Sequence, residues 1–374
     1  MDKATLTRQL KEKSRELGFS LVGVTDPDSP AHLEVYKNWL RLGRQGEMHY
    51  LETERAIERR ENPKRILPEC ESILVLGIPY DNPDSRGEPK VGEGRIAAYA
   101  WGKDYHEELG PRLKAIVEHA ERLAGHSIPN RWYTDSGPLL ERELALRAGL
   151  GWIGKNTMLI NPKKGSYFLL AEILLGIELE FDTPITVDHC GSCRRCIDAC
   201  PTDCILEDRT LDATRCISYF TIELKGPVPS ELRTKMGEWI FGCDICQMVC
   251  PWNERFAEPK GDPAFMYSQP AILSEEIKLS VSEFNKKFKT SPVKRSKRRG
   301  YLRNVGVALG NTIQNASIQA LSNALGDKEA LVRGHAAWAL GQLRENSAKQ
   351  ELEKAIGKEN DPWVVKEIQN ALNP

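Results

Sequence analysis

Apolar and polar positions follow two periods along the first half of the chain. Residues 3–17 set Leu6, Leu10 and Leu17 on one face among charges, the spacing of an amphipathic helix that Gly18 closes. A short strand follows over residues 20–25. Ser72–Pro79 (SILVLGIP) is an apolar run bounded by polar residues and reads as a buried strand. The charged helical stretch between them ends at Arg59 and Arg60. Over residues 104–123 the period returns to helical, with Leu109, Leu113, Ile116, Val117 and Leu123 on one stripe. Residues 131–134 predict a strand, 138–148 a helix with Pro138 near its first turn, and 157–176 one or two strands. Such alternation predicts an α/β or α+β domain rich in crossovers.

Past Pro251 the chain changes character. Lys286, Lys287, Lys289, Lys294, Arg295, Lys297, Arg298, Arg299 and Arg303 follow one another with no acidic residue between them. Two readings stand: a solvated linker, or a strip that neutralises nucleic-acid phosphates. Phe284, Phe288 and Tyr301 beside it suit either stacking on bases or anchoring to a core. Further on, Ala308-Leu309-Gly310, Ala339-Leu340-Gly341 and Ala371-Leu372 recur at intervals of 31 and 32 residues. The repeat resembles a HEAT-like array of helix pairs, which buries its core only by stacking neighbours.

Composition narrows the class. At 374 residues, with 40% hydrophobic and 28% charged residues, the chain is long enough for two or three domains of an ordinary soluble protein. A net charge of −1 argues against a protein that is basic throughout. No apolar run reaches a membrane span; the best candidate, Phe168–Leu175, is interrupted by Glu172. The charged N-terminus offers no apolar signal core, which predicts a cytoplasmic location where thiolates stay reduced.

The chemistry sits in the cysteines. Cys190, Cys193, Cys196 and Cys200, followed by Pro201, have the bacterial ferredoxin spacing for [4Fe–4S] clusters. Cys243, Cys246 and Cys250, followed by Pro251, repeat its latter part, and Cys216 completes a second set. In two-cluster ferredoxins the last cysteine of each motif crosses to the other cube, which assigns Cys190, Cys193, Cys196 and Cys250 to one cluster and Cys200, Cys216, Cys243 and Cys246 to the other. Paired C-x-x-C units also make zinc sites, yet zinc has no use for the Cys-Pro ending found in both copies. Cys70 and Cys204 are left as buried small hydrophobes.

Three other strings carry less. Residues 149–154 (GLGWIG) spell a dinucleotide fingerprint but follow a predicted helix, not a strand. Residues 149–156 nearly spell a phosphate-binding loop, with Asn156 where Ser or Thr is required. Asp104, His106 and Gly110 resemble a cobalamin-histidine signature with the glycine one residue late.

Taken together, the strings WGKDYH (101–106), YTDSGPLLER (133–142), RAGLGWIGKN (147–156), RCISY (215–219), FGCDICQMVCPWN (241–253) and the cysteine array resemble the epoxyqueuosine reductase family. The resemblance implies an α+β multidomain oxidoreductase: a corrinoid-binding α/β catalytic domain over residues 1–180, a ferredoxin-like domain with two [4Fe–4S] clusters over 181–260, and a basic tRNA-binding segment with HEAT-like helices over 261–374. It implies two-electron deoxygenation of epoxyqueuosine to queuosine at the wobble position of tRNAs with GUN anticodons, through Co(I) cobalamin. Asp135 becomes the proton donor, with a pKa raised by burial against the corrin. Arg60, Asp135, Lys155, Asn156, Thr157 and Ser218 become cobalamin contacts. Lys294, Arg295, Lys297, Arg298, Arg299 and Arg303 become the tRNA clamp. An external single-electron donor of flavodoxin or ferredoxin type, a monomer and no membrane association complete the expectation. The competing readings are a corrinoid reductive dehalogenase acting on a small substrate, and a non-catalytic iron–sulfur electron carrier.

Overall fold

A computed structural model describes residues 2–87, 89–267, 269–312 and 317–373. The chain folds as two compact units that interleave along the sequence. The first comprises residues 1–85, 102–213 and 245–267; the second comprises 86–101, 214–244 and 268–374. The three contiguous segments read from the sequence follow chemistry rather than compaction.

In the first unit, helix α1 (Lys3–Glu16) starts where the Asp2 carboxylate accepts the Thr5 N–H, and Gly18 takes the positive φ that ends it. Strand β1 (Leu21–Thr25) feeds β2 (Ser72–Pro79), the apolar run seen in the sequence. Helix α2 (Tyr105–Ala124) is capped by Asp104 and buries Leu109, Leu113, Ile116 and Val117. Strand β3 (Asn130–Tyr133), helix α3 (Glu141–Arg147) and strand β4 (Phe168–Leu175) complete the frame.

The sheet order is β1-β2-β4-β3, and every neighbouring pair is antiparallel. Alternation of strands and helices leaves parallel and antiparallel sheets open; the pairing here makes this unit α+β, and the strand order shows the crossovers expected. Helix α3 also starts three residues later than the apolar pattern predicts. The chain turns at Asp135, and Glu141 closes that turn by accepting the Asp135 N–H at 2.7 Å. The glycine-rich string does not open a helix. It runs into a hairpin of Trp152–Ile153 and Leu159–Ile160, which removes the dinucleotide reading.

The second unit is mainly helical. Its small sheet sets Glu93–Ile96 between Trp239–Phe241 and Ala271–Ile272. Helices α4 (Lys297–Thr312), α5 (Ala330–Leu343) and α6 (Pro362–Leu372) stack side by side on a core that includes Leu302, Leu309, Ala336, Leu340 and Ile368. The repeated Ala-Leu-Gly triplets lie on these helices. A Cβ at Gly310 would stand 2.6 Å from the Trp338 ring, so the close stacking requires glycine there.

Candidate active site

The loop from β3 to α3 presents Asp135 with φ +56, a left-handed conformation that aspartate tolerates better than most residues. A Cβ on Gly137 would meet the Tyr133 ring at 2.5 Å, so the turn depends on that glycine. The Asp135 side chain is 65% exposed. The chain's own residues leave the carboxyl open, so only something seated against it would desolvate it. Its Oδ2 accepts the Tyr105 hydroxyl at 2.7 Å, and His106 Nε2 stands 3.8 Å away.

His106 is itself held. Its Nδ1 lies 2.7 Å from Asp104 Oδ1, and its ring stacks on Tyr105 at 4.1 Å. The start of α2 therefore offers Asp135 a hydroxyl and an imidazole from adjacent positions. Beside the loop, Glu141 is partly exposed and Arg142 is exposed. Desolvation, then the Asp135 charge, pushes the Glu141 carboxyl up to about 8. Glu172, in the middle of β4, is wholly buried and is pushed well above the carboxylate range by burial, then by Glu141 and Asp135. Tyr105, His106, Glu141, Arg142 and Glu172 were not singled out as site residues from sequence. One signal was available for Glu172: it is the lone charge in the apolar run of β4.

Of the residues assigned to a corrinoid, Arg60 and Thr157 lie close to Glu141 and Arg142. Arg142 donates to the Thr157 carbonyl and, at 3.0 Å, to its Oγ1, while Arg60 is near enough to act on Glu141. Arg60 is buried, donates to the Ala56 carbonyl and lies over the Tyr36 ring. Lys155 spans the Gly191 and Cys193 carbonyls at 2.7 and 2.9 Å, and Asn156 donates to the Cys246 carbonyl at 3.3 Å. The segment 155–157 thus touches the cysteine loops at one end and the Asp135 neighbourhood at the other. Ser218 is half-buried in the second unit, on the short helix Ile217–Ile222.

The first cysteine set converges. Cys196 is pushed up to about 11, by burial and then by the Cys190, Cys250 and Cys193 sulfurs around it. Four thiols facing one another cannot all ionise without cations among them, which is what a cluster supplies. Trp152, His189 and Trp252 pack edge to face beside this set, with ring centres 4.8 to 5.1 Å apart. Trp152 belongs to the cluster of side chains holding Cys190 and Cys250, and its buried Nε1 has no acceptor among the described residues. A cluster sulfur is an acceptor of the kind that N–H lacks, so the residues present fit the group. Cys200 and Cys246 lie in the first unit, Cys216 and Cys243 in the second. Cys70 and Cys204 are buried, with the Cys204 sulfur 3.4 Å from that of Cys200.

Comparison with known proteins decides the family. Models of an epoxyqueuosine reductase domain, a 4Fe–4S double cluster binding domain and HEAT repeats match residues 60–136, 189–253 and 297–373. The epoxyqueuosine reductase of Pseudomonas aeruginosa is 39% identical over 346 residues, 91% of this chain and 95% of that protein. The chain belongs to the epoxyqueuosine reductase family. It is accordingly an oxidoreductase. Two solved structures of epoxyqueuosine reductases, each 32% identical, cover 99% of this chain and 98% of their own. One holds a tRNA-Tyr stem loop modified with epoxyqueuosine, at a TM-score of 0.88. The other, from Bacillus subtilis, has its catalytic aspartate loop swung out of the active site, at 0.87.

The basic strip of this family member needs one correction. Arg303 is fully buried and donates to the Phe220, Leu224 and Gly226 carbonyls, so it braces the fold and cannot reach a phosphate. Arg298 is mostly buried and paired with Asp327; Arg295 pairs with Glu223. Lys297 and Arg299 are exposed, and Lys294 is half-buried. Phe284, Phe288 and Tyr301 are buried and pack on one another, so they anchor the segment to its core and do not stack on bases. Among the described residues no helix is long and apolar enough to cross a membrane.

Proposed function

We propose that this chain reduces epoxyqueuosine to queuosine at the wobble position of tRNAs with GUN anticodons, with two [4Fe–4S] clusters and cobalamin as cofactors. It works in the cytoplasm, as a monomer, fed by a flavodoxin- or ferredoxin-type donor. The observation that carries the reading is the placement of Asp135: an open carboxyl held by Tyr105 and His106 in the same unit as four converging thiols.

Removing an epoxide oxygen as water consumes two electrons and two protons. The cysteine sets, Cys190, Cys193, Cys196 and Cys250 with Cys200, Cys216, Cys243 and Cys246, hold the relay for electrons arriving singly. Cobalamin, when bound, supplies the strongly nucleophilic, low-potential centre that the protein lacks. Arg60 and Lys155 each keep N–H donors beyond those used internally, and Thr157 keeps its hydroxyl proton. Such donors suit a cofactor edged with amides, and Asn156 and Ser218 are assigned with them.

Asp135 gives a proton to the departing oxygen, and its burial comes from the corrinoid seated against it. Tyr105 fixes its rotamer, and the Asp104-held His106 keeps a second polar group aimed at it. Lys297 and Arg299, with Lys294, Arg295 and Arg298 beside them, contact tRNA phosphates; the stem-loop complex of a relative supports that partner. The test is turnover of an epoxyqueuosine-modified anticodon stem loop by protein made without oxygen, loaded with both cofactors and supplied with a reductant. Conversion to queuosine is expected. No conversion by protein carrying both clusters and the corrinoid would refute it.

A further inference from the structure

Glu172 is the least explained side chain in the molecule. It lies in the middle of β4, opposite Val75 of β2 and Tyr133 of β3, and is 0% exposed. Its strand neighbours Leu170 and Leu174 join the apolar cluster that includes Ile73, Leu144 and Ala145. Among the described residues, no group donates a hydrogen bond to either carboxyl oxygen of Glu172. An apolar residue of the same size would fill this slot without electrostatic cost, so packing does not call for an acid.

Helix α3 packs against β4, which sets the Glu172 carboxyl beside that of Glu141, within reach of a shared proton. Two carboxylates offer each other only acceptors; one proton between them turns a repulsive contact into a hydrogen bond. Glu141 Oε1 in turn accepts the Asp135 backbone N–H at 2.7 Å, tying the pair to the loop of the proton donor. Arg142 and Arg60 favour the ionised form of Glu141, while Asp135 opposes it. Glu172 has no cation among the charges acting on it, only Glu141 and Asp135. The proton resides on Glu172, which is wholly buried and receives no donor, and is donated toward Glu141, which meets solvent and already accepts the Asp135 N–H.

We infer that Glu172 and Glu141 are a shared-proton carboxyl pair that recharges Asp135 with the second proton of the reaction. This rests on the epoxide reduction proposed above, which needs two protons where Asp135 carries one. Asp135 first gives its proton to the oxygen of the opening ring. The Glu172 O–H bond then breaks, its proton passes to the Glu141 carboxylate, and Glu141 hands a proton to the Asp135 carboxylate. Asp135 delivers it to the same oxygen, which leaves as water. The two electrons come from the external single-electron donor, and the emptied pair is reprotonated from solvent along the open side of Glu141. Glu141 and Glu172 act through Asp135 and do not touch substrate.

The test uses Glu172→Gln, which keeps size and neutrality, and Glu141→Gln as a second variant. In cluster-loaded protein without substrate, the infrared spectrum at neutral pH should show a protonated-carboxyl band that Glu172→Gln removes. In loaded enzyme, each variant should turn over about 100-fold more slowly, the low end for a positioned proton donor. Stem-loop affinity should be unchanged, and the rate should recover as pH falls, because bulk protons then refill Asp135. A band that survives Glu172→Gln, or wild-type turnover by that variant from about pH 6 to about pH 8, overturns the inference. If the wild-type enzyme fails to reduce the stem loop, the proposed function falls instead, and the infrared result still decides whether the pair holds a proton.

Discussion

Two groups of buried charge, one in each unit, are handled in opposite ways. In the second, Arg303 meets three backbone carbonyls, Arg233 pairs bidentately with Glu367, and Arg298 pairs with Asp327. Each guanidinium finds partners matched to its fork of donors, and the result is a braced helical stack. In the first unit, Glu172 is buried with no hydrogen-bond donor among the described residues, Glu141 is held above its ordinary range, and Asp135 sits in a left-handed turn. Charge that is fully matched builds structure. Charge left unmatched beside an exposed carboxyl is free to titrate, which is what proton transfer requires.

That contrast can be broken at specific side chains. The largest effect belongs to Asp135→Ala: turnover of the modified stem loop should fall about 1000-fold with both cofactors retained, as single-turnover product analysis would show. Near wild-type rates would remove Asp135 as the donor. Arg303→Met should leave activity per folded molecule intact but cost about 3 kcal/mol or more in denaturant unfolding, because three carbonyls lose a charged donor. If it instead weakened tRNA binding without destabilising the chain, the bracing role would be wrong.

A smaller change is expected at the exposed end of the basic strip. Lys297→Ala with Arg299→Ala should weaken stem-loop binding about tenfold and lower the salt slope of log affinity by about 1.5, measured by titration at several salt concentrations. Smallest is a slope in stability. Glu141 and Glu172 are acids raised in the folded state, so their stabilising share is complete below the unfolded glutamate pKa and is lost as pH rises through the folded values, about 8 for Glu141. Unfolding free energy should therefore decline between about pH 5 and about pH 8, and Glu172→Gln should flatten that decline by about 1 kcal/mol. Solvent at Glu141 screens its part, so most of the flattening should come from Glu172.

Much of this molecule was legible in the chain. Cysteine spacing alone grouped Cys250 with Cys190, Cys193 and Cys196, and the sulfurs that push Cys196 upward are those of the other three. Ser72–Pro79 matched its strand residue for residue, and the Ala-Leu-Gly repeats fell on stacked helices. The basic strip shows the limit. A run of lysines and arginines reads the same whether its members face solvent or carbonyls, so Arg303 looked identical to Arg299 until its burial was known.

What the sequence determined by itself was local or periodic: ligand spacing, helix stripes, buried strands and the residues of one turn around Asp135. Those depend on neighbours a few positions apart, and the chain carries them openly. Only tertiary structure decided the antiparallel order of the first sheet and the meeting of Asp135 with Tyr105, and of Glu141 with Glu172, 30 and 31 positions apart. The energy of a titratable group is set by what surrounds it in space. No spacing rule tells whether a glutamate in an apolar strand will meet water, a cation or another acid.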